Sequence, residues 1–172
     1  MPPSDPPVPL GTERRAPTVK DFPARGPFSL AAPAQRFGAR ALDLAVIAAP
    51  ALIVLAFTSQ IVDGQLQLEA PSWLGPAVIC LGVLYEFVSV ALAGREIGKW
   101  LFGLKVVRFI DGGRPRPAQA FLRALVPWSM LALPLGPFAF GLFVLVYGSG
   151  IGGALHRGVP DQAGGTLVIS TR

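Results

Sequence analysis

Two acids and a set of arginines are the residues whose placement could do chemistry in this chain. Asp43 stands in the run FGARALDLAVIAAPALIVLAFT (residues 37–58), and Glu86 in WLGPAVICLGVLYEFVSVALA (residues 73–93). A carboxylate in so apolar a stretch is costly unless it turns inward to a partner or to water. Asp43 follows Arg36 by seven residues, so on a helix the two share a face about 10 Å apart along the axis. Glu86 precedes Arg95 by nine residues, about 13 Å along its own helix. The two acids therefore fall at similar depth on different helices. Two chemistries are open to them. As neighbours they would repel, one pKa would rise, and the pair would hold a proton or a cation. Alternatively Asp43 pairs with Arg40 or Arg123, Glu86 pairs with another basic residue, and the charges lock helices together.

Asp161, in VPDQAGGT, is expected to cap a turn or to meet a basic residue, completing a structural charge network of Arg36, Arg40, Arg123 and Asp161. His156 is the single histidine, and no second histidine exists to make a metal site with it. Cys80, the single cysteine, lies in an apolar run and is expected to be a small buried residue in a helix, without a disulfide or metal cluster. Residues 148–153 (GSGIGG) fit a Gly-x-Gly-x-x-Gly pattern, but no strand–helix–strand unit surrounds them, so a flexible helix end is expected. Gly98-Lys99 lacks the Gly-rich loop of a phosphate cradle. No nucleophile–base set can be assembled, so neither an enzyme nor a cofactor is expected.

The elements that must position these groups read as membrane helices. Of the 172 residues, 52% are hydrophobic and 15% charged, against about a quarter charged in an ordinary soluble domain. The charges are also clustered, leaving long uncharged stretches. Residues 37–58 and 73–93 are each long enough to cross a bilayer, with Pro50 as a kink in the first and Trp73 as an interfacial anchor of the second. A third apolar region, 118–147, is too long for one upright crossing and is broken at Pro134-Leu135-Gly136-Pro137. It is either one kinked span or a hairpin of helices at about 118–133 and 137–150. Two strand-like pieces, about 104–110 (ending at Asp111-Gly112-Gly113) and 165–170, are too short to stand alone and are expected to pair. Pairing puts both on one side of the membrane and favours the hairpin. The expected fold is thus an all-α membrane bundle of three or four transmembrane helices with a short cytoplasmic β pairing, over residues 35–172.

Basic residues orient it. Six lie between Arg14 and Arg40, none in residues 60–72 and seven in residues 94–123. Lys and Arg accumulate on the cytoplasmic side, which puts the N-terminus and the 94–123 loop inside and the polar 60–72 loop outside, in a multi-pass protein of the cell membrane. The net charge of +5 is then explained by topology and by anionic headgroups at the basic loop, without nucleic acid. Residues 1–34 hold nine prolines and no apolar core of a signal peptide, and read as a disordered leader.

Several of these pieces together resemble the RDD family of bacterial membrane proteins. Arg36, Ala39 and Asp43 match its first-helix pattern. Gly94-Arg95-Glu96-Ile97-Gly98-Lys99 running into LFGLKVV, then Asp111-Gly112-Gly113 and Arg123, are similar to its loop. Asp161, Ala163, Gly165 and Thr166 before LVI are similar to its closing pattern. Two places depart: Glu96 stands where the family usually has Thr, and Arg157-Gly158-Val159-Pro160 look additional. The resemblance implies a membrane module, with transport of ions or small solutes suggested for some members. The expectation is a cation, proton or solute transporter or a subunit of one, Asp43 and Glu86 holding the ion, and a homo-oligomer if so few helices must enclose a pathway. The alternative is a scaffold or regulator that recruits a partner while the acids serve structure alone.

Overall fold

The computed structural model describes residues 16–172, and within them the chain is mostly helical. A long helix α1 (Pro33–Thr58) leads through a hairpin of β1 (Gln60–Val62) and β2 (Gln65–Gln67) to α2 (Leu74–Ala93). A short α3 (Ile97–Leu101) and strand β3 (Leu104–Arg108) follow, then α4 (Pro117–Leu131), α5 (Pro137–Gly148), α6 (Val159–Ala163) and strand β4 (Thr166–Ser170).

Local chemistry sets most boundaries. Pro33, Pro117 and Pro137 each occupy a first-turn position, where the missing N–H costs nothing. α1 consequently begins before residue 37. Gly94, at φ 70°, ends α2 by taking the left-handed conformation that a side chain resists. The break predicted at 134–137 is present. α4 stops at Leu131, Gly136 turns the chain at φ 54°, and α5 packs back on α4. At about 22 Å and 18 Å, these two helices are each shorter than the roughly 30 Å hydrocarbon layer.

Two regions differ from expectation. The 60–72 loop contains an antiparallel hairpin, Gln60 opposite Gln67, because Asp63 and Gly64 both take positive φ (52° and 75°), the geometry a two-residue turn requires. The proline-rich leader was expected to be disordered through residue 34. Its first fifteen residues lie outside the described ones. The rest has a 3-10 turn at Val19–Asp21, and Leu30 bridges to Ile169. Ala31 N–H donates to the Val168 carbonyl at 3.1 Å and Ser170 N–H to the Ser29 carbonyl at 2.8 Å. This stretch therefore covers the second edge of β4, whose first edge pairs antiparallel with β3 from Leu104↔Ser170 to Arg108↔Thr166. With both edges occupied, all five β4 residues are buried.

The bundle is inverted relative to a soluble domain. In the most apolar windows of α1 and α2 only 11% and 17% of residues are buried within the protein. Large apolar side chains such as Leu52, Phe57, Leu92, Phe138 and Leu145 face outward. Arg40, Asp43, Glu86, Glu96, Lys99, Arg123 and Asp161 are buried. Such an exterior is stable against lipid and not against water.

Candidate functional site

The buried charges form one lattice where α1, α2, α3, α4 and α6 meet. Its centre is Glu86 on α2. Arg40 of α1 grips it through two nitrogens, Nη1 to Oε1 at 2.6 Å and Nη2 to Oε2 at 3.1 Å. Trp128 Nε1 donates to the same Oε1 at 2.6 Å, and the Tyr147 hydroxyl donates to it as well. Tyr147 also lays its ring under the Arg40 guanidinium, 4.0 Å from carbon to centroid. Four helices are thereby tied to one carboxylate.

Glu96, the residue before α3, sits beside this centre. Lys99 Nζ is 2.6 Å from its Oε1, and Arg40 Nη2 is 3.7 Å away. Burial pushes the Glu96 carboxyl up, but Lys99, Arg123 and Arg40 outweigh it and hold the pKa at about 2. Burial acts on Lys99 in the opposite sense, lowering its ammonium to about 8 although Glu96 holds it up. A second node is Asp161 in α6, which receives Arg36 from α1 and Arg123 from α4 on its two oxygens. Arg123 Nη1 also donates to Thr166 Oγ1 at 3.0 Å, and Arg36 donates to the His156 carbonyl.

Asp43 has different surroundings. Its Oδ1 accepts from the Tyr85 hydroxyl at 2.6 Å and from Gly98 N–H at 2.7 Å, and the Ile97 N–H donates in turn to Tyr85 Oη at 3.0 Å. Its Oδ2 is buried and takes no hydrogen bond. Gly98 makes the approach possible, since a Cβ there would land on the Ala39 carbonyl of α1.

With this architecture in place, the sequence adds its own finding. A family model described as the RDD family matches residues 30–165. The chain belongs to the RDD family. The match spans the four longer helices, β3 and both nodes of the lattice, and with the lipid-facing α1 and α2 it makes the chain an integral membrane protein. No match was found among curated proteins or among solved structures.

The arginine and two aspartates that carried the RDD resemblance divide between two places. Arg36 meets Asp161, whereas Asp43 secures α3 to α1. Asp43 pairs with neither Arg40 nor Arg123, because Glu86 and Asp161 hold those guanidinium groups. Nor do Asp43 and Glu86 share a site. Adjacent on α2, Tyr85 and Glu86 reach different partners, and only the Tyr85 hydroxyl meets Asp43. Glu96, read as a departure from the RDD pattern, is a full member of the lattice, and its ion pair three residues along to Lys99 was a visible signal. Trp128, Tyr85 and Tyr147 were missed; polar-tipped aromatics within apolar runs were the clue to them. The additional segment has a packing role, with the Arg157 guanidinium 3.7 Å over the Phe109 ring and its Nε donating to the Thr166 carbonyl at 2.9 Å.

The low Glu96 pKa fixes a pH dependence. A carboxyl whose folded pKa lies below the usual 4.5 stabilises the fold above 4.5 and loses that contribution as pH falls to about 2. The melting temperature of detergent-solubilised wild type should exceed that of Glu96→Gln by a constant margin above pH 5. The margin should shrink progressively below pH 4.5. A margin that does not change with pH would show that the Glu96 pKa is the same in the folded and unfolded protein.

Proposed function

We propose that this RDD protein is a non-enzymatic, multi-pass protein of the cell membrane that moves a proton or a small ion or solute, with Asp43 as the proton-accepting group. α1 and α2 cross fully in this reading. The α4–α5 hairpin enters and leaves on one side, so the N-terminus, β3 and β4 are cytoplasmic. The basic residues of 94–123 against none in 60–72 support that orientation.

The observation that carries the proposal is the buried Oδ2 of Asp43, which takes no hydrogen bond, whereas the Glu86 and Asp161 carboxylates are held by arginines. Glu86 has four donors and little capacity for a transported cation, so the exchangeable position falls to Asp43 alone. Asn at 43 keeps an acceptor for Tyr85 and Gly98 and removes the titratable oxygen. In proteoliposomes, Asp43→Asn is expected to abolish proton- or cation-linked flux while leaving melting temperature and detergent elution unchanged. Equal flux from variant and wild type overturns the assignment.

The saturation of Glu86 and Asp161 favours a second reading, a scaffold or regulator in which every charge is structural. It requires that wild type itself carry no flux of protons or of the cations tested, and that a partner protein co-purify.

A further inference from the structure

One cavity in the described structure is lined by cations and by no acid. It lies where the start of α1 faces the end of α5, has a cavity volume of about 40 Å³, and is bounded by Arg36, Arg40, Lys99, Arg123, Tyr147 and the apolar Pro33, Phe37 and Ile151, with Gly150. The carboxylates that pair with these four cations, Glu86, Glu96 and Asp161, do not line the cavity.

We propose that this cavity is a binding site for a phosphate group, either as an anionic lipid headgroup or as a free phosphate. Four cations meet three carboxylates within ion-pair distance, and Arg36 and Arg123 share Asp161. Arg123 Nε is buried without a hydrogen-bond partner, a donor left for something not supplied by the protein. Guanidinium groups match the oxygens of a phosphate two at a time, and three of the four cations are arginines. Position fits a phosphate arriving from the membrane surface. The cavity is at the end of the bundle that carries the β3–β4 sheet, since residues 28–31, bound to β4, lead directly into α1. Phe37 and Ile151 are half-exposed at its mouth, where an acyl or glycerol portion would lie. The site stands on the cavity and its charges and does not depend on transport.

The test is binding of dioctanoyl phosphatidic acid to the full chain in a neutral detergent, by calorimetry, with dioctanoyl phosphatidylcholine as reference and inorganic phosphate as competitor. Ile151→Glu puts a negative charge at the mouth without touching an ion pair, and 57% of Ile151 is exposed, so the fold should tolerate it. Saturable phosphatidate binding at least tenfold tighter than phosphatidylcholine is expected. Ile151→Glu should weaken it at least tenfold, while Ile151→Gln and Val62→Glu, at the opposite end of α1, leave it unchanged. Displacement by millimolar inorganic phosphate would identify a free-phosphate site, and failure of phosphate to displace the lipid a headgroup site; each supports the proposal. Absence of saturable binding to both probes overturns it, as does an Ile151→Glu affinity equal to that of Ile151→Gln.

Discussion

Glu86→Ala is expected to be the most damaging single substitution in the bundle, costing roughly 3–5 kcal/mol. The loss has little to do with Glu86 in isolation. Arg40, with 8% of its surface exposed, would keep its charge and lose both bonds to Glu86, retaining Glu96 at 3.7 Å as its nearest carboxylate. Trp128 Nε1 and the Tyr147 hydroxyl would lose their acceptor at the same time. Removing charge and countercharge together should be much milder. Glu86→Leu combined with Arg40→Met leaves no unpaired ion and keeps the volume filled, so the double variant should be more stable than Glu86→Ala alone. Thermal melting in detergent, together with the yield of membrane-inserted protein, measures both. A double variant no better than the single one would mean that packing around Glu86, and not its charge, holds the helices.

Gly98→Val is the second large effect, expected to cost about 3 kcal/mol by overpacking. A Cβ at this position meets the Ala39 carbonyl oxygen and comes within 2.8 Å of the Ala39 carbonyl carbon and of Asp43 Oδ2. The Ala39 carbonyl belongs to a helix backbone and cannot rotate away, so α3 must lift from α1. That movement breaks the 2.7 Å bond from Gly98 N–H to Asp43 and draws Lys99 from Glu96. Gly141→Ala supplies the control. Nothing lies within 4 Å of a Cβ there, and a helix interior favours Ala over Gly, so this variant should be neutral or slightly stabilising. The two melting temperatures, measured side by side, separate a contact effect from a general intolerance of glycine replacement. Equal shifts would refute the close packing of α3 on α1.

The sequence revealed most where a local rule left few choices. Runs of about twenty predominantly apolar residues identified α1 and α2, because an apolar stretch of that length has few soluble uses. Pro-Leu-Gly-Pro ended α4 and started α5, because a proline lacks an N–H and a glycine tolerates φ 54°. The two β-branched runs were recognisable as strands, and their pairing followed from neither being stable alone. The Asp63-Gly64 turn was equally local, but it was read as a loop because the strands it joins have only three residues each.

The polar interior was legible in kind and not in detail. That Asp43 and Glu86 turn inward to a partner or to water follows from the cost of a charge in lipid, which composition and position alone establish. Which charge meets which does not follow, since helix spacing reports depth and face but not the rotation of one helix against the next. The separation of Asp43 from Glu86, the recruitment of Glu96 and Lys99 through the turn into α3, and the cation-lined cavity all depend on that rotation. It is decided by close contacts such as Gly98 on Ala39 and Trp128 on Gly82, which bring residues distant in the chain to van der Waals range. The sequence by itself determined that the acids within the apolar helices must turn to a partner or to water. Only the tertiary packing decided their partners, because ion pairs form over a few ångströms and a small shift between helices exchanges one partner for another.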